Sequence, residues 1–226
     1  MGEGARAVWA IAAKDLAIEW RTKTAFVSAL AFAVLVLAVL YFARDPTAVA
    51  SLDVAPGALW VTFSFAAMLG LNRAFLLEQE NRALDGVLLS GVPRPAVFLG
   101  KMLANLVFVG AVELVSVPLF ILFYDVPLWH RVPELLGVTA MATLSFVAVG
   151  TLLSAMAVRT RFAELMLPLL LLPFLVPPVV GAVQVTARIL AQRPLSEVAG
   201  WLKLLAAFDI VFLFLAIFLF EATLEE

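Results

Sequence analysis

The stretch from Ala25 to Ala43 reads AFVSALAFAVLVLAVLYFA and is closed by Arg44, Asp45 and Pro46. It carries no charge and only one hydroxyl besides its tyrosine. About 20 predominantly apolar residues are enough for a helix to cross the hydrocarbon core of a bilayer. Water therefore does not solvate this segment. Five further runs have the same character: about 56–77, 102–124, 135–158, 162–187 and 201–220. The chain is read as an all-α polytopic membrane protein with six transmembrane helices in one six-span domain.

Composition agrees. Of 226 residues, 64% are hydrophobic and 14% charged, against about 45–50% and about 25% in soluble domains. Fifteen Lys and Arg against seventeen Asp and Glu leave a net charge of −2, so no basic surface is available for a nucleic-acid partner. The absence of cysteine excludes disulfides, thiolate metal sites and a cysteine nucleophile. The absence of a GxxxxGK[ST] pattern excludes ATP hydrolysis by a phosphate-binding loop. The chain is not read as an enzyme, and no tightly bound cofactor or metal is expected.

Orientation follows from the basic residues, which concentrate on the cytoplasmic side. Ten lie before span one, between spans two and three, or between spans four and five; five lie on the other side. Both termini are therefore expected in the cytoplasm. Ala48-Val49-Ala50 resembles a signal-peptidase site, but the apolar run before it exceeds the usual 7–15 residues of a signal core. The first helix is read as retained.

Two segments outside the spans are amphipathic. Residues 5–23 place Val8, Ile11 and Ala12 on one face, with Trp9 and Trp20 suited to the headgroup level. This is read as an interfacial helix, or alternatively as the cytoplasmic start of a long first span. The link NRAFLLEQENRALDGVLLSGVPRP, Asn72 to Pro95, repeats apolar residues at helical spacing through Leu76, Leu77, Leu84 and Leu88. Glu78, Glu80, Arg82 and Asp85 form its polar face, and Gly91 and Pro93 end it. A helix over about 78–92 is too charged to span and has an apolar face to cover.

These residues carry a resemblance. Ala55-Pro56-Gly57 with Trp60, then Asn72-Arg73, Phe75, Glu78-x-Glu80, Leu84-Asp85-Gly86-Val87-Leu88-Leu89, Pro93-Arg94-Pro95, Gly100-Lys101 and Leu167-Pro168 resemble the haem exporter B (CcmB) family. The likeness covers the whole chain and is most specific from Asn72 to Lys101. It implies an ABC-2-like permease half in the bacterial inner membrane, acting in cytochrome c biogenesis. The segment 78–92 would be a coupling helix, with Glu78, Glu80, Arg82, Leu84, Asp85 and Leu88 docking a separate, CcmA-like ATPase that supplies ATP hydrolysis. A second copy of the chain and CcmC-like haem-handling subunits would complete the assembly, with haem as substrate. Rival readings are an ABC-2-type lipid or drug exporter subunit, and a non-transporting scaffold that recruits the ATPase.

Inside the spans, Glu113 and Asp209 are carboxyls at mid-helix, where a charge costs about 2.5–3.5 kcal/mol on insertion scales. Either they serve a conduit or gate, or they pair within the bundle. Span five holds Pro168, Pro173, Pro177 and Pro178, which argues against a straight helix. Pro168 and Pro173 are candidate gating positions if it is broken; otherwise the segment is a kinked packing element. Span four, with Thr139, Thr143, Ser145, Gly150 and Ser154, is rich in small residues and expected deep in the packing. His130, the single histidine, is read as an interfacial residue rather than a haem ligand.

Overall fold

In hydrocarbon a backbone must satisfy its own hydrogen bonds, so long apolar runs become helices. The computed structural model describes residues 3–81, 92–126, 130–157 and 163–223, apart from the side chains of residues 3, 72–81, 157, 163–166 and 221–223. Its elements are α1 (Glu3–Thr22), α2 (Thr24–Ala43), α3 (Ser51–Asn81), α4 (Arg94–Tyr124), α5 (Val132–Ala157), α6 (Ala163–Leu190), a short 3₁₀ turn (Leu195–Val198) and α7 (Ala199–Thr223). Helices α2 to α7 contain the six segments, among the described residues, that are long and apolar enough to cross a membrane.

One residue separates α1 from α2. Lys23 takes a left-handed backbone, φ 54°, a conformation that costs a non-glycine residue energy and breaks a helix. Glu19 bridges the joint by accepting the Phe26 N–H at 3.0 Å. The chain therefore turns here instead of extending span one, and α1 packs along α4. Ile11 joins Val97, Phe98, Leu152, Ala216 and Phe220 in one apolar cluster. That cluster brings α1, the start of α4 and the ends of α5 and α7 to one face.

At the opposite face the connections are short and polar. Asp45 accepts from the Thr47 N–H and hydroxyl at 2.8 and 2.6 Å, which holds its carboxyl below the usual carboxylate range. Arg131 pairs with Glu134 at 2.5 Å and donates to the Arg193 carbonyl at 2.7 Å, joining the start of α5 to the end of α6.

Helix boundaries differ from the apolar runs in two places. Helix α4 starts at Arg94 rather than Met102, with Pro93 at its N-cap and Pro95 in the first helical turn, where a missing N–H costs nothing. Lys101, counted by sequence as a loop residue, thus lies inside the helix and is only 3% exposed. Helix α3 runs without a break from the apolar span to Asn81. Glu78 and Glu80 sit on its last turns. Arg82, Leu84, Asp85 and Leu88, the rest of the expected docking set, lie outside the described residues.

The proline-rich span is not broken. Helix α6 is continuous from Ala163 to Leu190 through Pro168, Pro173, Pro177 and Pro178. Pro173 and Pro177 are exposed on its outward face, near Leu169, Leu172 and Val176, whereas Pro168 is half-buried and Pro178 buried. Helix α5 is the most buried span, 72% of its window, as its small residues allow. A Cβ at Gly150 would run into the Leu71 side chain of α3, so glycine is what lets the two helices meet.

Candidate functional site

Helix α5 is the polar hub of the bundle. Its Thr143 hydroxyl lies 2.8 and 2.7 Å from the two carboxyl oxygens of Glu113 on α4. Ser145 donates to Asp209 of α7 at 2.5 Å. Two turns on, Thr151 accepts from the Asn105 amide of α4 at 3.1 Å. Ser154 donates to the Leu71 carbonyl of α3 at 3.4 Å. Outside the hub, the Trp60 indole N–H donates to Thr186 at 2.8 Å, tying α3 to α6.

Both mid-span carboxyls are therefore partnered. Glu113 is 2% and Asp209 8% exposed. A carboxyl in hydrocarbon is tolerated only where protein supplies its hydrogen bonds, and hydroxyls two residues apart on α5 supply them to α4 and α7. One detail of the Glu113 pair matters. Thr143 has a single hydrogen to give, yet it faces both oxygens. The pair is complete when the carboxyl carries a proton, each group then donating once and accepting once.

Glu113 and Thr143 also floor a cleft of roughly 240 Å³ between α4 and α5. Leu106, Leu114 and Leu136 wall it, and Gly110 and Ala140 widen it by their small size. Thr139, one turn from Thr143, lines it too. Leu114, Leu136 and Ala140 are exposed on the outer surface of the bundle, so the cleft opens sideways, toward lipid. Asp209, Pro168 and Pro173 are not among its lining residues. The candidate gating residues thus do not gather into one site.

A second polar contact sits on the face that carries α1. The Lys101 ammonium, buried on α4, pairs with Asp15 of α1 at 3.4 Å. The neighbouring Gly100 lies under Ile11 and the Val8 carbonyl, about where a Cβ would sit. An apolar contact and an ion pair together fix α1 to α4. His130 is exposed in the turn before α5. Among the described residues, no three His, Cys, Asp or Glu side chains cluster as a metal site would require.

Sequence reading singled out Glu113 and Asp209 by charge and depth but treated Thr139, Thr143 and Ser145 as small packing residues. The hydroxyls of Thr143 and Ser145 prove to be the partners. The available signal was a pair of hydroxyls, Thr143 and Ser145, at the middle of an apolar span, the depth at which Glu113 and Asp209 sit on theirs.

Comparison with known proteins agrees over nearly the full length. The family model described as CcmB protein matches residues 6–226. Heme exporter protein B of Paracoccus denitrificans is 31% identical over 221 residues, covering 96% of this chain and 97% of that protein. The Rhodobacter capsulatus protein of the same name is 31% identical over 199 residues, 84% and 89% of the two chains. That of Pseudomonas aeruginosa is 28% identical over 198 residues, 86% and 87%. With six membrane-length helices and a family match from the first amphipathic helix to the final residue, the chain belongs to the CcmB protein family.

Proposed function

We propose that the chain is the membrane subunit of a haem exporter serving cytochrome c maturation, an ABC-2-like permease half in the bacterial inner membrane. The observation that carries this reading is the near-complete coverage of relatives named heme exporter protein B, at 31% identity. The subunit does no bond chemistry. It couples ATP hydrolysis by a separate CcmA-like ATPase to movement of haem, or of a haem-carrying CcmC-like partner, and works beside a second copy of itself.

Coupling requires a rigid element that leaves the membrane. Helix α3 supports that requirement: it continues as one helix to Asn81, past the apolar run that the sequence carries to about residue 77. Glu78 and Glu80 would meet basic residues of the ATPase, and Leu84 and Leu88 would fill an apolar groove on it, with Arg82 and Asp85 completing the polar rim. Force applied there would pass directly into spans two and three. The α1–α4 contact through Lys101 and Asp15 would stiffen the same face.

The test is co-purification of the full chain with a co-expressed CcmA-like ATPase. Glu78→Lys with Glu80→Lys is expected to lower ATPase recovery by about tenfold, the equivalent of about 1.4 kcal/mol of interface energy, while the chain still elutes as a folded membrane protein. Recovery equal to the unaltered chain would refute the docking role. Deleting the gene is expected to abolish covalent haem attachment to c-type cytochromes; normal attachment would refute the assignment to that process.

A further inference from the structure

One buried polar group in the cleft has a capacity that the bundle does not use. Thr139 is 6% exposed, and its hydroxyl oxygen is buried with no hydrogen-bond partner among the described residues. A helical threonine can ordinarily turn its hydroxyl back to the carbonyl four residues earlier. Thr62 and Ser116 do so, onto Ala58 and Val112, at 2.7 Å each. Thr139 does not, and it lines the cleft beside Glu113 and Thr143. A buried hydroxyl without a partner is costly, so the cleft is suited to a molecule that offers it one, and a ligand that accepts uses the single hydrogen the hydroxyl has to give.

The walls restrict what that molecule can be. The cleft opens to lipid between exposed Leu114 and Leu136, so the ligand arrives through the bilayer and is apolar elsewhere. The cleft presents hydroxyls and a carboxyl but no imidazole, thioether or phenol, the side chains that ligate haem iron. Depth narrows the class again. With α5 centred in the bilayer, Thr139 lies about 8 Å from its midplane at 1.5 Å per residue. The edge of the hydrocarbon core is about 15 Å from the midplane. The acceptor must therefore reach well inside the core.

From these features we infer that the α4–α5 cleft is a lateral binding site for an uncharged, lipid-soluble carbonyl compound, whose oxygen accepts a hydrogen bond from Thr139. A quinone headgroup on an apolar tail has this chemistry and can occupy that depth. The ester of an acyl lipid offers the same acceptor but is anchored nearer the surface. The site is independent of the ATPase-coupling reading and could fail without affecting it.

The experiment uses the full chain in phosphatidylcholine nanodiscs with two photoreactive probes, an azido-substituted decylubiquinone and a diazirine-bearing phosphatidylcholine. Adducts are mapped by mass spectrometry. The quinone probe is expected to label residues within 106–117 and 136–143, and excess decylubiquinone is expected to displace it. Thr139→Val, nearly isosteric, should lower labelling about tenfold, as loss of one hydrogen bond predicts. Gly110→Leu should abolish it, because a Cβ there meets nothing within 4 Å and the side chain would fill the cleft. Elution profile and helical circular dichroism verify that both variants fold. Cleft labelling by the lipid probe alone, lowered equally by Thr139→Val, would keep the site and assign its ligand to acyl esters. Labelling indifferent to both substitutions, or absent from the cleft with either probe, would overturn the proposal.

Discussion

Glu113 and Thr143 behave as a unit, and their energetics follow from counting hydrogen bonds. Thr143→Val removes the hydrogen-bond partner that the Glu113 carboxyl has among the described residues. It should destabilise the chain by about 1–3 kcal/mol, the desolvation cost of an unpaired buried group. Glu113→Leu together with Thr143→Val replaces both partners by apolar groups and should cost less than Thr143→Val alone. Thermal unfolding in detergent, followed by loss of monodisperse elution, distinguishes the outcomes. A double variant as unstable as the single one would mean that the pair does more than cancel its own burial cost. Ser145→Ala should act similarly on Asp209, though less, because that carboxyl is somewhat more exposed.

At the scale of helices, close approach is controlled by single small residues. Gly150→Val would place a methyl-bearing carbon against Leu71, and overpacking of this kind costs about 1–3 kcal/mol. Leu71→Ala in the same chain should recover most of the loss, since it removes the clashing side chain. Helix α1 depends on a different kind of contact. Lys101→Glu would set two carboxylates side by side with Asp15 in a half-buried setting, and like charges at such distance repel. Hydrogen exchange over residues 5–22 should then accelerate about tenfold or more, while exchange in α5 stays unchanged. Equal protection in both helices would show that the apolar contact of Ile11 with Gly100 suffices.

For the whole molecule, the distribution of polar partners implies a division of labour. Polar contacts among α3, α4, α5 and α7 bind the bundle's interior, whereas helix association in lipid gains little from hydrophobicity itself and relies on packing and such bonds. Helices α2 and α7 bury the smallest shares of their spanning windows, 22% and 17%, and present much of their surface outward. A subunit built this way should keep its fold when isolated in detergent. The expected measurement is a helical spectrum and a single elution peak for the chain without an ATPase. Aggregation of the isolated chain, reversed only by co-expression of the ATPase, would contradict that expectation.

Much of this was legible in the order of residues. Six apolar runs fixed the solvent and the class of fold because hydrocarbon admits only internally bonded helices. The Asn72–Lys101 pattern identified the family because it combines charge, glycine and proline at positions that hydropathy does not dictate. Charge at depth picked out Glu113 and Asp209. Their partners were not legible: which helix faces which depends on side chains meeting across distant segments, and a threonine in a small-residue stripe reads the same whether it packs, pairs or waits for a ligand. Likewise four prolines could not reveal that α6 stays continuous, since neighbouring helices and side chains can satisfy the backbone groups each ring frees. Sequence determined where the chain must lie and to which family it belongs. Only the tertiary structure decided how its few polar groups are satisfied, and it left the Thr139 hydroxyl without a partner among the described residues, because hydrogen bonds between spans are made by proximity in space and not along the chain.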